Sequence, residues 1–197
     1  MNYENLPTKR NLLHAKRSLH LANYGYNLLE KKQKILMREL TDIKKKISKL
    51  KILVSQSLLH GNTLLEKENK ENVKRISGKM PLIKSLQIAY KNIMGARIPK
   101  IIFEKFNYSA PPYSLGESTS NIDHTLIAWQ KVAMLLIKLS EAEIAKNNML
   151  LLLQKVSKRC SALKNITIPT YEIRIKHITS QLEERERDEL ARNKLFH

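Results

Sequence analysis

Six histidines, one cysteine and eighteen acidic residues are the groups in this chain that could ligate a metal, activate a nucleophile or move a proton. Their spacing supports none of these reactions. His14, His20, His60, His124, His177 and His197 fall in no HExxH or other metal-ligand spacing, and one cysteine gives a structural zinc site no sulfur set to draw on. Cys160 can close no intrachain disulfide, and it reads as a small buried hydrophobe rather than a reactive thiol. The five scattered glycines make neither a GxxxxGK[ST] phosphate loop nor a GxGxxG turn. The acidic run at 183–189 offers paired carboxylates for acid–base work, but Arg185 and Arg187 interleave with it and it reads as a solvated ion-pair face. Asn107-Tyr108-Ser109 and Asn165-Ile166-Thr167 match the glycosylation pattern and, without a secretory signal, read as chance matches. The expectation is a non-enzyme with no cofactor and no metal.

Charge is the strongest bulk signal. Thirty-six Lys and Arg stand against 18 Asp and Glu, a formal net charge of +18. That balance fits an anionic partner, or a long helical surface solvated by lysine. The basic residues spread evenly, with 13 in residues 1–60, 12 in 61–138 and 11 in 139–197. Aromatic residues do not interleave with them as base-stacking platforms would. A basic coiled coil that binds nucleic acid or an anionic membrane surface is the alternative reading, and direct contact with nucleic acid is not expected. The longest strongly apolar run, residues 132–137, falls far below the roughly 20 residues of a membrane span. The expectation is a soluble, cytoplasmic protein without direct membrane insertion.

The elements that organise these residues are helices. Steps of three and four residues through 12–54 give Leu12, Ala15, Leu19, Ala22, Tyr26, Leu29, Gln33, Leu36, Leu40, Ile43, Ile47, Leu50 and Val54. This is a heptad seam broken only by Gln33, and a helix cannot bury such a stripe against itself. Pro7-Thr8 is a suitable helix entry, with the Thr8 hydroxyl as N-cap. The N-terminal arm is placed at 8–77, weakened at Gly61-Asn62 and ended by Gly78 and Pro81. From residue 122 to 195 there is no Gly and one Pro, Pro169, which removes a backbone donor and should bend the helix. Seam positions there are Leu126, Trp129, Ala133 and Leu136. They resume at Met149, Leu152, Val156, Cys160 and Leu163, then at Ile168, Tyr171, Ile175, Ile178 and Leu182. The register drifts between these blocks, as stutters do.

Between the arms the pattern changes. Leu86, Ile88 and Tyr90 alternate with polar or small residues, a period of two, and Asn92-Ile93-Met94-Gly95 reads as a turn before Ala96 to Phe103. A β-hairpin insert at 82–106 follows, with Met94, Gly95 and Pro99 at and near its turn and Pro99 confining its strand to an edge. A helix over 82–94 is the competing assignment. Residues 107–121, rich in Pro, Gly, Ser and Thr, read as a flexible loop, and Ser120 with Asp123 resembles a capping box that opens the arm at 122–195. Arms of similar length joined by a compact insert fold back on each other. The fold class is mainly α: a long antiparallel intramolecular two-helix coiled coil with a small β-hairpin-containing insert. In that arrangement Lys9, Arg10, Lys16 and Arg17 lie opposite the run that holds Arg185 and Arg187, and the opposite charges help set orientation.

Three stretches together resemble the D-subunit family of V-type and A-type ATPases. The first is PTKRNLLHAKRSLHLANYGYNLLEKKQKILMREL at 7–40, with Pro7, Thr8, Lys9, Leu12, Leu13, Lys16, Arg17, Gly25, Leu28, Leu29, Lys31 and Lys32 on the family pattern. The second is NIMGARIPKI at 92–101, and the third is KRCSALKNITIP followed by LEERERDE within 158–189. The family's Val-Asn-Ala-Leu-Glu is replaced here by Cys160-Ser161-Ala162-Leu163-Lys164, and the polar loop at 107–121 is this sequence's own. The resemblance implies a central rotor shaft, itself non-catalytic, that transmits torque between an ATP-hydrolysing or ATP-synthesising head and a membrane ion-translocating ring. It implies the catalytic and regulatory head subunits, the small F subunit of the stalk and a membrane-side socket subunit as partners. It also implies that the charged ends (Lys9, Arg10, Lys16, Arg17, Arg185, Arg187) face the head, and that the protein is cytoplasmic and peripheral to the membrane.

Overall fold

Pro7 and Thr8 open the first helix as their chemistry requires. The Thr8 hydroxyl accepts the Asn11 N–H at 3.2 Å, and the Thr8 carbonyl accepts the Leu12 N–H at 3.0 Å. The hydroxyl thereby satisfies one donor that lacks an intrahelical partner, and the carbonyl takes the first intrahelical bond. The computed structural model describes residues 7–77, 83–105 and 120–195. Helix α1 runs Lys9–Leu65 and continues through Gly61, against which Trp129 packs. The N-terminal arm is not one helix to residue 77. Bonds from the Lys67 N–H to the Leu64 carbonyl and from the Glu68 N–H to the Leu65 carbonyl tighten the last turn. The Asn69 side chain then accepts the Glu71 N–H at 3.3 Å and starts α2, Lys70–Ser77. Gly78 and Pro81, expected to end this arm, lie outside the described residues.

Strands β1 (Ile83–Ile93) and β2 (Ala96–Lys105) form the hairpin, so the helix considered for 82–94 does not occur over residues 83–93. They pair antiparallel from Ile93 with Ala96 out to Ile83 with Lys105, with one irregularity between Ile83 and Ser85. Helix α3 (Ser120–Ala162) passes through a π turn, Leu163–Thr167, into α4 (Ile168–Leu195). Of the loop expected at 107–121, Ser120 and Asn121 belong to α3 and the remainder lies outside the described residues.

The chain divides into two compact units, and α1 and α3 contribute to both. The unit of Met1–Ile35 and Leu153–His197 pairs the start of α1 with α4 and the end of α3. Lys9 meets Glu186 and the Glu30 carboxylate acts on Cys160, so residue numbers run in opposite directions along the two helices, as an antiparallel pair demands. Its buried apolar residues, among those described, are Ala15, Val156, Cys160 and Ile178. The unit of Leu36–Leu152 pairs the later part of α1 with α3 and adds the hairpin. Lys51 meets Glu143 and Gly61 meets Trp129, again antiparallel. Leu36, Leu40, Ile47, Val54, Val132, Ala142, Ala145 and Met149 are among its buried residues.

Candidate functional site

The seam of α1 faces inward as its spacing demands. Ala15, Leu36, Leu40, Ile47 and Val54 are buried, and Leu12, Leu19, Tyr26, Leu29, Ile43 and Leu50 are half-buried. Gln33, the one polar residue of the series, is half-buried with them. On the second arm Val156, Cys160 and Ile178 are buried, and Leu163, Tyr171, Ile175 and Leu182 are half-buried.

The first block of that arm differs from expectation. In place of Leu126, Trp129, Ala133 and Leu136, the buried residues are Ile122, Thr125, Ala128 and Val132, one position earlier at each step that can be compared. Leu136 is 44% exposed. The physical reason is size. Ala128 and Val132 let α3 approach closely, while Trp129 lies at the flank and covers Gly61, its indole nitrogen 3.4 Å from where a Cβ would stand. The buried Thr125 hydroxyl is satisfied by donating to the Asn121 carbonyl at 2.8 Å.

Pro169 acts through the turn before it. In a regular helix its ring would strike the carbonyl of Asn165. The π turn widens the helix there, with the Ile168 N–H bonded to the Leu163 carbonyl. One extra residue is absorbed. The seam positions Leu163 and Tyr171 are accordingly eight apart where a heptad gives seven, which is the drift seen in the sequence.

The hairpin turn places Met94 and Gly95 at φ of 55° and 93°. Two positive values at the central residues of a two-residue connection define the twist-matched type I′ turn. Gly95 takes this conformation freely and Met94 does not, and the Asn92 side chain compensates by accepting the Gly95 N–H at 3.0 Å. Pro99 is opposite Tyr90, at one of the alternate positions whose backbone groups point away from β1. It therefore removes no ladder bond. The outward groups on either side of it are taken up by α3: the Asn148 amide donates to the Arg97 carbonyl at 2.8 Å, and the Ile101 N–H donates to Glu141 at 3.3 Å. Glu141 and Asn148 are seven residues apart on one helix face, with buried Ala142 and Ala145 between them. Sequence reasoning missed this clamp. Its trace in the sequence is two polar residues at heptad spacing around two alanines.

The charged ends carry a cross-helix ion pair and a cross-helix hydrogen bond. Lys9 lies 3.3 Å from Glu186, and the Arg185 guanidinium donates to the Pro7 carbonyl at 3.1 Å. Arg187 reaches Glu183 on its own helix at 4.0 Å, while Arg10, Lys16 and Arg17 project into solvent. Burial pushes the Cys160 thiol above its ordinary range and the Glu30 carboxylate adds to this, both favouring the protonated sulfur. Among the described residues no group of three His, Cys, Asp or Glu side chains is placed to hold a metal ion. None of the described helices is long and apolar enough to cross a membrane.

Comparison with known proteins covers nearly the whole chain. The family of ATP synthase D subunits matches residues 11–197. The D subunit of a V-type ATP synthase from Thermotoga neapolitana is 31% identical over 192 residues, covering 95% of this chain and 94% of its own length. The D subunit of an A-type ATP synthase from Thermococcus kodakarensis is 27% identical, with 95% and 91% covered. The D subunit of a V-type ATP synthase from Fusobacterium nucleatum is 31% identical, with 94% and 91% covered.

Proposed function

This chain belongs to the family of ATP synthase D subunits, and we propose that it is the central rotor shaft of a V-type or A-type ATPase. In this reading it carries torque between the nucleotide-binding head and the membrane ion-translocating ring and performs no chemistry itself. The observation that carries the reading is the antiparallel pairing of α1 with α4, which brings both helix ends, with Lys9, Arg10, Lys16, Arg17, Arg185 and Arg187, together. Such an end can enter a ring of catalytic and regulatory subunits. Dispersed surface charge lets a shaft pass successive equivalent faces without one deep contact that traps a single angle. In this reading the hairpin meets the membrane-side socket subunit, and the small F subunit of the stalk binds along the coil. The protein then works in the cytoplasm, peripheral to the membrane.

Two measurements test this. A tagged chain recovered from native membranes should bring the head subunits with it, and recovery of none rejects the reading. In the assembled complex, Lys16→Cys in a Cys160→Ser background should form a disulfide to a cysteine placed on the facing head subunit. ATP hydrolysis should fall on oxidation and return on reduction. Turnover that persists with the shaft cross-linked shows that the chain does not rotate. The alternative, a binder of nucleic acid or an anionic membrane, predicts affinity that falls steeply with salt.

A further inference from the structure

The two edges of the hairpin have different surroundings. Outward backbone groups of β2 are taken up by Glu141 and Asn148 of α3. Those of β1 meet no such partner among the described residues. Every residue from 86 to 92 is exposed, with Leu86, Ile88 and Tyr90 at 49, 54 and 69%. The register identifies the groups concerned. Ile93 and Ala96 close the two-residue turn as a hydrogen-bonded pair, so Leu86, Ile88 and Tyr90 send their N–H and C=O groups away from β2. Their side chains also share one face of the strand. An open edge of this kind is a template for another strand, and proteins blunt it with proline, with charge in mid-strand or with a covering element. From Ser85 to Tyr90 the sequence has neither proline nor charge. The proline of the hairpin, Pro99, stands on the edge that α3 already covers.

We propose that the free chain pairs with a second copy of itself through β1, edge to edge and antiparallel, so that two hairpins make one four-stranded sheet. The pairing goes beyond the rotor reading and does not depend on it. The apolar residues are symmetric about Ile88. A two-fold axis there sets Ile88 against its own counterpart and Leu86 against the second copy's Tyr90, an aliphatic–aromatic pair of the kind that stabilises sheets. Gln87 then stands opposite Ala89 and Lys91 opposite Ser85, so Lys91 faces no lysine. Leu86, Ile88 and Tyr90 of the two copies exchange about six backbone hydrogen bonds. Moving the axis to Ala89 puts Leu86 opposite Asn92, and moving it to Gln87 brings Tyr90 to the irregularity between Ile83 and Ser85. The apolar pattern therefore specifies the register. Nucleic acid would need cations that Ser85–Tyr90 lacks, and a partner helix would leave the backbone edge unsatisfied. Each copy carries a net charge of +18, so the copies repel at a distance and salt tightens the pair by screening. One strand a side buries less than the roughly 1,600 Å² of a standard stable complex, which makes the pair a micromolar one. In the rotor reading a single shaft serves the ring, and the pair shields the edge of chains awaiting assembly.

Sedimentation equilibrium of the purified full-length chain tests this. Between about 1 and 100 µM it should show monomer and dimer in exchange, with the dimer tighter at about 0.5 M salt than at about 0.1 M. Ile88→Lys sets two ammonium groups across the axis and should raise the dimer dissociation constant at least about tenfold. Its melting temperature should stay unchanged, since the side chain it replaces is exposed. Ile102→Lys, on β2 and the opposite face of the hairpin, should leave the dimer as it is. Independently, Ile88→Cys in a Cys160→Ser background should form an interchain disulfide on mild oxidation, because residues paired across strands lie within disulfide reach. Lys91→Cys, roughly 20 Å from its counterpart, should not. Should Ile88→Lys unfold the hairpin, the two cysteine variants decide alone. A chain that stays monomeric throughout overturns the proposal, as does a dimer indifferent to Ile88→Lys or one that salt dissolves. Cross-linking at Lys91→Cys as fast as at Ile88→Cys overturns it too.

Discussion

The stretch of α1 before Ile35 and the stretch after it have the same apolar spacing and different surroundings. Of the fifteen buried apolar residues among those described, eleven belong to the unit Leu36–Leu152 and four to the unit of the two chain ends. The seam pattern does not explain this, since it continues unchanged through both. Added layers do. In the later unit α3 has a hairpin to cover on one side and α1 on the other, so Ala142, Ala145 and Met149 are enclosed. In the unit of the ends two helices meet along a narrow line, and most seam residues keep some contact with water. The two glycines follow the same division: Gly61 is filled by Trp129, and Gly25 opens onto no described side chain. Heptad spacing thus fixes which face turns inward. How completely it is buried depends on what else is present.

The largest effect that could break this comparison lies in the enclosed core. Met149, with no exposed surface, should cost about 2–5 kcal/mol on truncation to Ala, measured by urea unfolding of the isolated chain. Leu29→Ala in the other unit, where the side chain is half-buried, should cost about half as much; equal costs would remove the distinction. The glycines give a test by sign. Gly61→Leu should destabilise by about 1–3 kcal/mol, because a Cβ already 3.4 Å from the indole leaves no room for branching. Gly25→Ala should stabilise by about 0.5–1 kcal/mol, read as a higher melting temperature. Two shifts of the same sign mean that Gly25 has an internal neighbour after all. Next in size is the clamp on the hairpin. Glu141→Ala should free the Ile101 N–H and cost about 1 kcal/mol, with faster hydrogen exchange at that amide, while exchange at the start of α1 stays as it was.

The α1 seam was legible because its steps of three and four meet a polar residue only at Gln33 over six heptads, and a single phase fits every position. The hairpin was legible from its change of period and from Gly95. The first block of α3 was misread because Leu126, Trp129 and Leu136 are the larger residues, and size alone suggests a core. Close approach instead favoured Ala128 and Val132 one position away, with Trp129 set against a glycine in another element. That pairing joins residues 68 apart, which no periodicity reports. The π turn was half legible. Pro169 announced a distortion and the drifting register announced an extra residue, but their joining at Leu163–Thr167 is a matter of backbone geometry. The clamp by Glu141 and Asn148 depended on which edge of β2 meets α3. The charged ends were readable as opposites in sequence, but which cation takes which acid depends on helix phase.

The smallest effects are electrostatic and belong to the loosely enclosed unit. Cys160 holds its proton more tightly in the folded chain than in the unfolded one, because burial and Glu30 both disfavour the thiolate. The unfolded state therefore ionises first, and stability from this group is full below the ordinary value of 9.0 and declines as pH rises above it. Alkylation of the thiol at pH 8 should follow opening of the helix pair rather than the thiol's own ionisation, so its rate should rise in proportion to unfolding across a urea series.

Smaller still is the pair of Lys9 and Glu186, whose side chains are 82% and 58% exposed. Water and salt screen such a pair, and holding two long side chains in place offsets much of the attraction. A double-mutant cycle of Lys9→Ala and Glu186→Ala should give a coupling of about 0.2–0.5 kcal/mol at low salt, fading toward zero near 1 M. Arg185 would still donate to the Pro7 carbonyl, so the ends would stay paired in both variants. A coupling well above about 1 kcal/mol would mean that charge, not the narrow apolar line, holds the ends together. The contrast between the units would then be one of interaction type rather than of degree of enclosure.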